Sequence, residues 1–83
     1  MQILYFAKIR EAMGNDGELH DFPATVTTVG SAIEWLAQLS PVHRAALADR
    51  AKLRFALDQK LVKADAKILG GKELAIFPPV TGG

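Results

Sequence analysis

The residues best suited to chemistry lie at positions 78–83, where the pair Pro78-Pro79 precedes the pair Gly82-Gly83. Glycine has no side chain, so a Gly-Gly segment can enter a slot that is too narrow for residues with a Cβ atom. Proline cannot donate a ladder hydrogen bond and holds φ at about −65°, so the proline pair is predicted to end a strand and begin a stiff stalk. We expect residues 80–83 to form a projecting tail, with the carboxylate of Gly83 as its reactive group.

Composition predicts one small domain without an active site of its own. The chain has 83 residues, of which 49% are hydrophobic, and this leaves little room for an internal cleft. It has no cysteine, which excludes a disulfide scaffold, a thiolate nucleophile and a thiolate metal site, and which is compatible with the cytoplasm. His20 and His43 lack ligand-type partners at metal-site spacing, so we predict no metal site and a surface position for both.

The distribution of charge and hydropathy limits the classes of partner. Residues 1–43 carry two Lys or Arg against five Asp or Glu, whereas residues 44–72 carry eight against three. The positive charges are spaced rather than clustered and have no interleaved aromatic residues, so no nucleic-acid partner is predicted. No apolar stretch approaches the ~18 to 20 residues of a membrane-spanning helix, so no membrane partner is predicted either.

Local patterns predict a single α+β domain over residues 1–79 with the element order ββα(α)βββ. The surest element is a helix that begins after Thr28, a good N-cap, and ends before Pro41. Lys8 to Met13 are expected to form one or two helical turns closed by Gly14. A second short helix is predicted over residues 42–50, and strands over 2–7, 18–22, 53–57, 60–63 and 73–77. The loop at 65–71 is expected to turn Ile68 and Leu69 inward.

One main helix cannot cover both faces of such a sheet, so one face is predicted to stay open. Strand alternation directs one set of residues toward the helix: Ile3, Tyr5, Ala7, Leu53, Phe55, Leu57, Leu74 and Ile76. The same alternation directs another set away from it: Leu4, Phe6, Arg54, Ala56, Ala75 and Phe77. Phe6 and Phe77 would then lie close to the tail, and an exposed apolar patch of this kind usually marks a partner surface.

Three segments carry a resemblance to a known family: Phe6-x-x-x-Arg10-Glu11-x-x-Gly14 after the first strand, Thr28-Val29 at the helix start, and Phe77-Pro78-Pro79-Val80-Thr81-Gly82-Gly83. Together they resemble the small, sulfur-carrying subunits of molybdopterin synthases, which have the ubiquitin-like β-grasp fold. The resemblance covers the whole chain. It implies a mixed sheet of four to five strands packed on one main helix.

The resemblance also implies a reaction and its partners. An E1-like adenylyltransferase would use ATP to adenylate Gly83, and a sulfur donor protein would displace AMP to leave a terminal thiocarboxylate. This chain would bind no cofactor and supply no catalytic side chain. The tail residues Val80, Thr81 and Gly82 would insert into the synthase large subunit, which catalyses sulfur transfer to cyclic pyranopterin monophosphate within a 2:2 heterotetramer in the cytoplasm.

Five residues are candidates for contacts with the large subunit: Phe6, Arg10, Arg54, Phe77 and Pro79.

Three other kinds of function also fit the sequence. The chain is also compatible with a ubiquitin-like modifier conjugated through Gly83, a sulfur carrier for thiamine synthesis or tRNA thiolation, or a plain interaction module.

Overall fold

The computed structural model describes residues 1–80 and shows a five-stranded mixed sheet with three α-helices. The helices are α1 (Ala7–Met13), α2 (Val29–Ala37) and α3 (Pro41–Ala46), and a short 3-10 helix lies at Arg50–Lys52. The strands are β1 (Gln2–Tyr5), β2 (Gly17–Leu19), β3 (Arg54–Leu57), β4 (Lys60–Val62) and β5 (Glu73–Phe77). The predicted α+β class and element order are confirmed.

The first and last strands lie side by side in the middle of the sheet, whose order is β2-β1-β5-β3-β4. β1 and β5 run parallel, with Gln2 opposite Glu73 and Tyr5 opposite Ile76, and every other neighbouring pair is antiparallel. Parallel neighbours require a long crossover, which the helices and the β3-β4 hairpin provide here. As a result β5, the strand that leads into the tail, is held by a hydrogen-bonded ladder on each side.

Helix α2 begins after Thr28, as predicted, with a reciprocal cap. The Thr28 hydroxyl accepts a hydrogen bond from the Ser31 backbone N–H at 3.1 Å, and the Ser31 hydroxyl accepts one from the Thr28 N–H at 2.9 Å. A cap of this type typically contributes about 1 kcal/mol. It fixes the start of a helix whose buried face is formed by Val29, Ala32, Ile33, Leu36 and Ala37.

The core lies between these helices and one face of the sheet. Ile3, Leu74 and Ile76 are fully buried there, and Tyr5 is 1% exposed. Fully burying an aliphatic side chain of this size contributes roughly 1.5 to 3 kcal/mol, so the central pair of strands stabilises the domain strongly. The residues predicted to face the helix are buried or half-buried, with the exception of Ala7.

The expectation for Ala7 is wrong because β1 ends at Tyr5 rather than at residue 7. The backbone of Ala7 has φ +52°, in the left-handed region, and this turns the chain out of the sheet into α1. An L-residue there costs roughly 1 to 2 kcal/mol. Helix α1 then buries Ile9 and Met13 and ends at Gly14, whose φ of +80° matches the predicted closure.

The β3-β4 hairpin has a two-residue turn, Asp58-Gln59, between the end of β3 and the start of β4. Asp58 and Gln59 have φ values of +49° and +70°, which is the left-handed pair that suits the twist of a two-residue hairpin. The Asp58 carboxylate Oδ1 also accepts hydrogen bonds from the backbone N–H groups of Lys72 and Glu73, at 2.9 and 3.0 Å. The turn therefore also anchors the start of β5.

Three predicted details differ in the structure. β2 ends at Leu19 rather than at residue 22, and beyond it the Phe22 ring packs edge-on against Trp35 with centroids 5.0 Å apart. α3 ends at Ala46, short of residue 50. In the 65–71 loop only Ile68 is buried, whereas Leu69 is 97% exposed, since the chain reverses at Gly70 with φ +81°.

Candidate functional site

The base of the predicted tail lies at the end of the central strand β5. The last residue of the strand is Phe77. The two prolines that follow, Pro78 and Pro79, are half-buried, whereas Val80 is 89% exposed. The prolines thus end the strand as predicted, but they pack partly against the domain rather than projecting from it directly. The predicted roles of Thr81, Gly82 and Gly83 lie outside the residues that the structure describes.

The face of the sheet opposite the core carries an apolar row that crosses all five strands. Strand pairing places five residues in register, and directly opposed residues share a face: Gly17, Leu4, Ala75, Ala56 and Leu61. None of them belongs to the main core cluster, but Ala75 is only 8% exposed, Leu4, Gly17 and Ala56 are half-buried, and Leu61 is 79% exposed. We call this surface, together with Phe6, Phe77 and Arg54, the open face.

The aromatic end of the open face adjoins the base of the tail. Phe6 follows β1 directly, is 45% exposed, and donates its backbone N–H to the carbonyl of Ile76 at 3.1 Å. Phe77 is half-buried and lies opposite Arg54 in the β3-β5 ladder. The structure therefore brings Phe6, Phe77 and Arg54 to one end of the sheet, but Phe77 is less exposed than strand alternation alone predicts.

The two candidate arginines are both exposed near this end. Arg54 Nη1 donates hydrogen bonds to the carbonyls of Ala51 and Leu53, at 3.0 and 2.9 Å, and this fixes the direction of its guanidinium. Arg10 lies one turn into α1, and its backbone N–H donates to the Phe6 carbonyl. Within residues 1–80 neither arginine forms an ion pair with a carboxylate, so both charges are available to a partner.

A polar cluster that the sequence analysis missed joins β1, β2 and α3. The Glu18 carboxylate accepts a hydrogen bond from the Tyr5 hydroxyl and lies 3.0 Å from His43 Nε2. His43 Nδ1 is in turn 2.7 Å from the hydroxyl of Ser40, which caps α3. The side chain of His43 is 14% exposed and that of His20 is 21% exposed, so the predicted surface positions are wrong for both histidines.

This cluster has the residue types of a nucleophilic triad but the geometry of a structural link. The Ser40 hydroxyl also accepts the backbone N–H of His43 at 3.2 Å, as an N-cap does, and neither large surface cavity borders it. His20 Nε2 is buried without a hydrogen-bond partner in residues 1–80 and lies 3.6 Å from Glu18. No local pattern signals the cluster, because Glu18 and His43 are 25 residues apart.

Burial and hydrogen bonding act in opposite directions on the Glu18 carboxyl group. Burial alone raises its pKa, but hydrogen bonds from Tyr5 and His43 and the charges of His43 and His20 lower the pKa below its ordinary value. Burial, helped by the hydrogen bond and charge of Glu18, raises the pKa of the Tyr5 hydroxyl far above its ordinary range. Glu18 is therefore the charged acceptor of the cluster, and Tyr5 stays a neutral donor.

Replacement of Glu18 by Gln is expected to lower the free energy of unfolding at pH 7 by about 1 to 3 kcal/mol. Because the folded pKa of Glu18 is depressed, its contribution is fully present above the unfolded pKa of about 4.3 and is lost as pH falls through the folded pKa. The difference between wild type and Glu18→Gln should therefore shrink as pH falls below about 4. Denaturant unfolding between acidic and neutral pH measures it.

The matched control is Glu34→Gln, which removes an exposed carboxylate whose partner is Arg50 at 2.7 Å. That pair is 63% and 40% exposed, so its removal should change stability little at any pH. A difference between wild type and Glu18→Gln that stays constant from neutral to acidic pH would contradict the assignment of the charge to Glu18.

Two general features of the described residues bear on function. Within residues 1–80 no group of three or more His, Asp or Glu side chains is arranged to hold a metal ion. None of the helices in that part of the chain is both long and apolar enough to cross a membrane.

Comparisons with known proteins cover almost the whole chain. The profile of the ThiS family matches residues 3–83. The molybdopterin synthase sulfur carrier subunit of Escherichia coli is 40% identical over 100% of this chain and 99% of its own length, and that of Haemophilus influenzae is 39% identical over the same shares. The crystal structure of small archaeal modifier protein 1 from H. volcanii superposes with a TM-score of 0.72 at 26% identity, covering 96% of this chain and 97% of that one.

Proposed function

The chain belongs to the ThiS family and acts as a sulfur carrier, and we propose that it serves a molybdopterin synthase with Gly83 as the residue that bears the sulfur. The observation that carries this proposal is the 40% identity, over full length, to the E. coli sulfur carrier subunit. The geometry supports it, because the tail leaves from the central strand beside an exposed apolar face.

The chemistry at Gly83 requires activation, because a carboxylate is a poor electrophile. We propose that a carboxylate oxygen of Gly83 attacks the α-phosphorus of ATP on an E1-like adenylyltransferase and releases pyrophosphate. Sulfur at the oxidation level of sulfide, delivered by a donor protein, then attacks the acyl carbon, and AMP leaves with the bonding electron pair. The product is a thiocarboxylate. This chain binds no cofactor in this scheme, and the ATP is used by the activating enzyme.

The thiocarboxylate sulfur then forms a bond to the substrate inside the large subunit, and water attacks the Gly83 acyl carbon, so that the C–S bond breaks and Gly83 returns as a carboxylate. Val80, Thr81, Gly82 and Gly83 occupy the channel to the active site, and two rounds of transfer to cyclic pyranopterin monophosphate build the dithiolene. All catalytic side chains belong to the large subunit in this scheme, so this chain is a carrier rather than an enzyme. We propose the cytoplasm as the site of the reaction, since ATP for each cycle is present there.

We propose that the open face docks on the large subunit within a 2:2 heterotetramer. Phe6 and Phe77 provide the apolar contacts and Pro79 directs the tail, whereas Arg10 and Arg54 meet acidic residues at the rim of the interface. Burying both phenylalanine rings in such an interface would contribute on the order of 3 to 6 kcal/mol before the costs of association. Rim charges would mainly accelerate association and select the partner.

A second candidate function is protein modification, which the similarity to a structure named as an archaeal modifier protein favours. In that case the Gly83 acyl adenylate would react with a lysine amine rather than with sulfur, and an isopeptide bond would form as AMP leaves. Both functions use the same tail and the same first step, so the second nucleophile distinguishes them.

Mass spectrometry of the intact chain separates the two functions. The chain is incubated with its activating enzyme, ATP and a sulfur source, and a sulfur carrier gains the mass that corresponds to exchange of one oxygen for sulfur at Gly83. Omission of ATP is the control and should prevent the gain. If no mass gain occurs and isopeptide adducts of Gly83 appear on lysines of other proteins, the sulfur-carrier proposal is overturned.

A further inference from the structure

A groove flanks the base of the tail on the helix side of the sheet, opposite the open face. It is a cavity of about 580 Å³ between α1, the end of α3 with the segment that follows it, and the proline pair. We call it the tail-base groove and define it by the residues Ala7, Lys8, Ala45, Lys52, Pro78 and Pro79. Small alanine side chains leave this space open, and the proline rings form one wall.

The surroundings of the groove are predominantly positive. Lys8 is exposed and forms no ion pair within residues 1–80. Lys52 is also exposed, with its Nζ 4.0 Å from the Asp49 carboxylate, the one carboxylate among the described residues that lines the groove. Arg10 and Arg54 lie on neighbouring surfaces at the same end of the molecule. The groove itself is therefore lined by two lysines and one carboxylate, and two further arginines lie on surfaces near it.

The length of the tail constrains where a partner can lie. Gly83 is the fourth residue after Pro79. A fully extended chain advances at most about 3.6 Å per residue. A protein whose active site holds Gly83 must therefore have the mouth of its channel within about 14 Å of Pro79. Because Pro79 is itself a wall of the groove, the rim of that channel comes close to the groove as well as to the open face.

We propose that the tail-base groove receives an apolar side chain from an acidic segment on the rim of the synthase large subunit. This inference rests on the proposed function. The prolines have restricted φ and no free N–H group, so they form a preorganised apolar wall that loses little conformational entropy on binding. The unpaired Lys8 selects a negatively charged segment over a positive one.

The consequence is that the large subunit holds the base of the tail from two sides. The open face contacts one side of the sheet end and the tail-base groove contacts the other, so β5 and the proline pair are fixed in direction between them. A tail of only four residues can then deliver Gly83 to one position, because the direction in which it starts is fixed.

Two variants test the groove by titration calorimetry with the purified large subunit. Lys8→Glu should raise Kd by about fivefold at low salt and make it less sensitive to added salt, because the attraction to the acidic segment becomes a repulsion. Ala45→Phe should raise Kd by about tenfold by filling the groove with a ring. Ala45 is exposed, so this substitution need not disturb the core.

The matched controls are Lys67→Glu and Ala24→Phe, which make the same changes at exposed positions that line a different cavity. Both should bind as wild type does, and denaturant unfolding should show that every variant is folded. If Lys8→Glu and Ala45→Phe also bind as wild type does, the large subunit does not contact the groove and the inference is overturned. If the wild-type chain does not bind the large subunit at all, the proposed function fails and the inference fails with it.

Discussion

Deletion of Gly83, or replacement of Gly82 by Val, is expected to abolish sulfur transfer while leaving the free energy of unfolding unchanged. The physical reason is that in the proposed reaction the carboxylate to be activated belongs to Gly83, and a branched side chain at position 82 would hinder entry of the tail into a narrow channel of the large subunit. The core among residues 1–80 is complete once β5 ends at Phe77. Denaturant unfolding and an assay of molybdopterin formation with the large subunit measure the two effects.

Ala24→Val is the control for the bulky replacement, because it adds the same branched side chain at an exposed position on another surface. It should transfer sulfur at the wild-type rate. Molybdopterin formation at the normal rate by the chain without Gly83 would refute the assignment of this residue as the sulfur carrier.

Replacement of Phe77 by Ala is expected to weaken binding to the large subunit by about 2 to 4 kcal/mol, as for an anchor residue of an interface. The ring is half-buried at the end of the open face, so its loss should destabilise the free chain less than the roughly 3 to 5 kcal/mol typical of a core phenylalanine. Titration calorimetry with the large subunit gives the binding change, and denaturant unfolding of the free variant gives the stability change.

Phe55→Ala is the matched control, because Phe55 is 9% exposed and belongs to the core cluster. Its main effect should be on stability, with the affinity of the folded molecules nearly unchanged. The reverse pattern, in which Phe77→Ala unfolds the chain as severely as Phe55→Ala and leaves the affinity of folded molecules intact, would move the docking surface away from the open face.

The placement of the candidate site on the fold was largely predictable, because its elements depend on short-range rules. Strand alternation assigns Phe55 to the core and Phe6 to the outside, and both assignments are confirmed. Alternation gave too exposed a position for Phe77, since a residue in a central strand is covered in part by its neighbours on both sides. The residues that would contact a partner remain a prediction.

The sequence by itself determined those features that a few neighbouring residues specify. Thr28 and Ser31 close a reciprocal cap within one helical turn, Gly14 ends α1 in the left-handed conformation, and Pro78 ends β5 because it has no N–H group to donate. Each of these outcomes depends on backbone geometry within about four residues, so the local pattern is enough to predict it.

Only the tertiary structure decided the features that join distant parts of the chain. Glu18 meets His43 across 25 residues, and the tail-base groove exists because α1, the end of α3 with the segment after it, and the proline pair pack at one end. The parallel pairing of β1 with β5 also decides that the tail leaves from the centre of the sheet. The positions of these groups are set by how the apolar faces of the helices and strands pack together. The spacing of residues along the chain does not specify that packing.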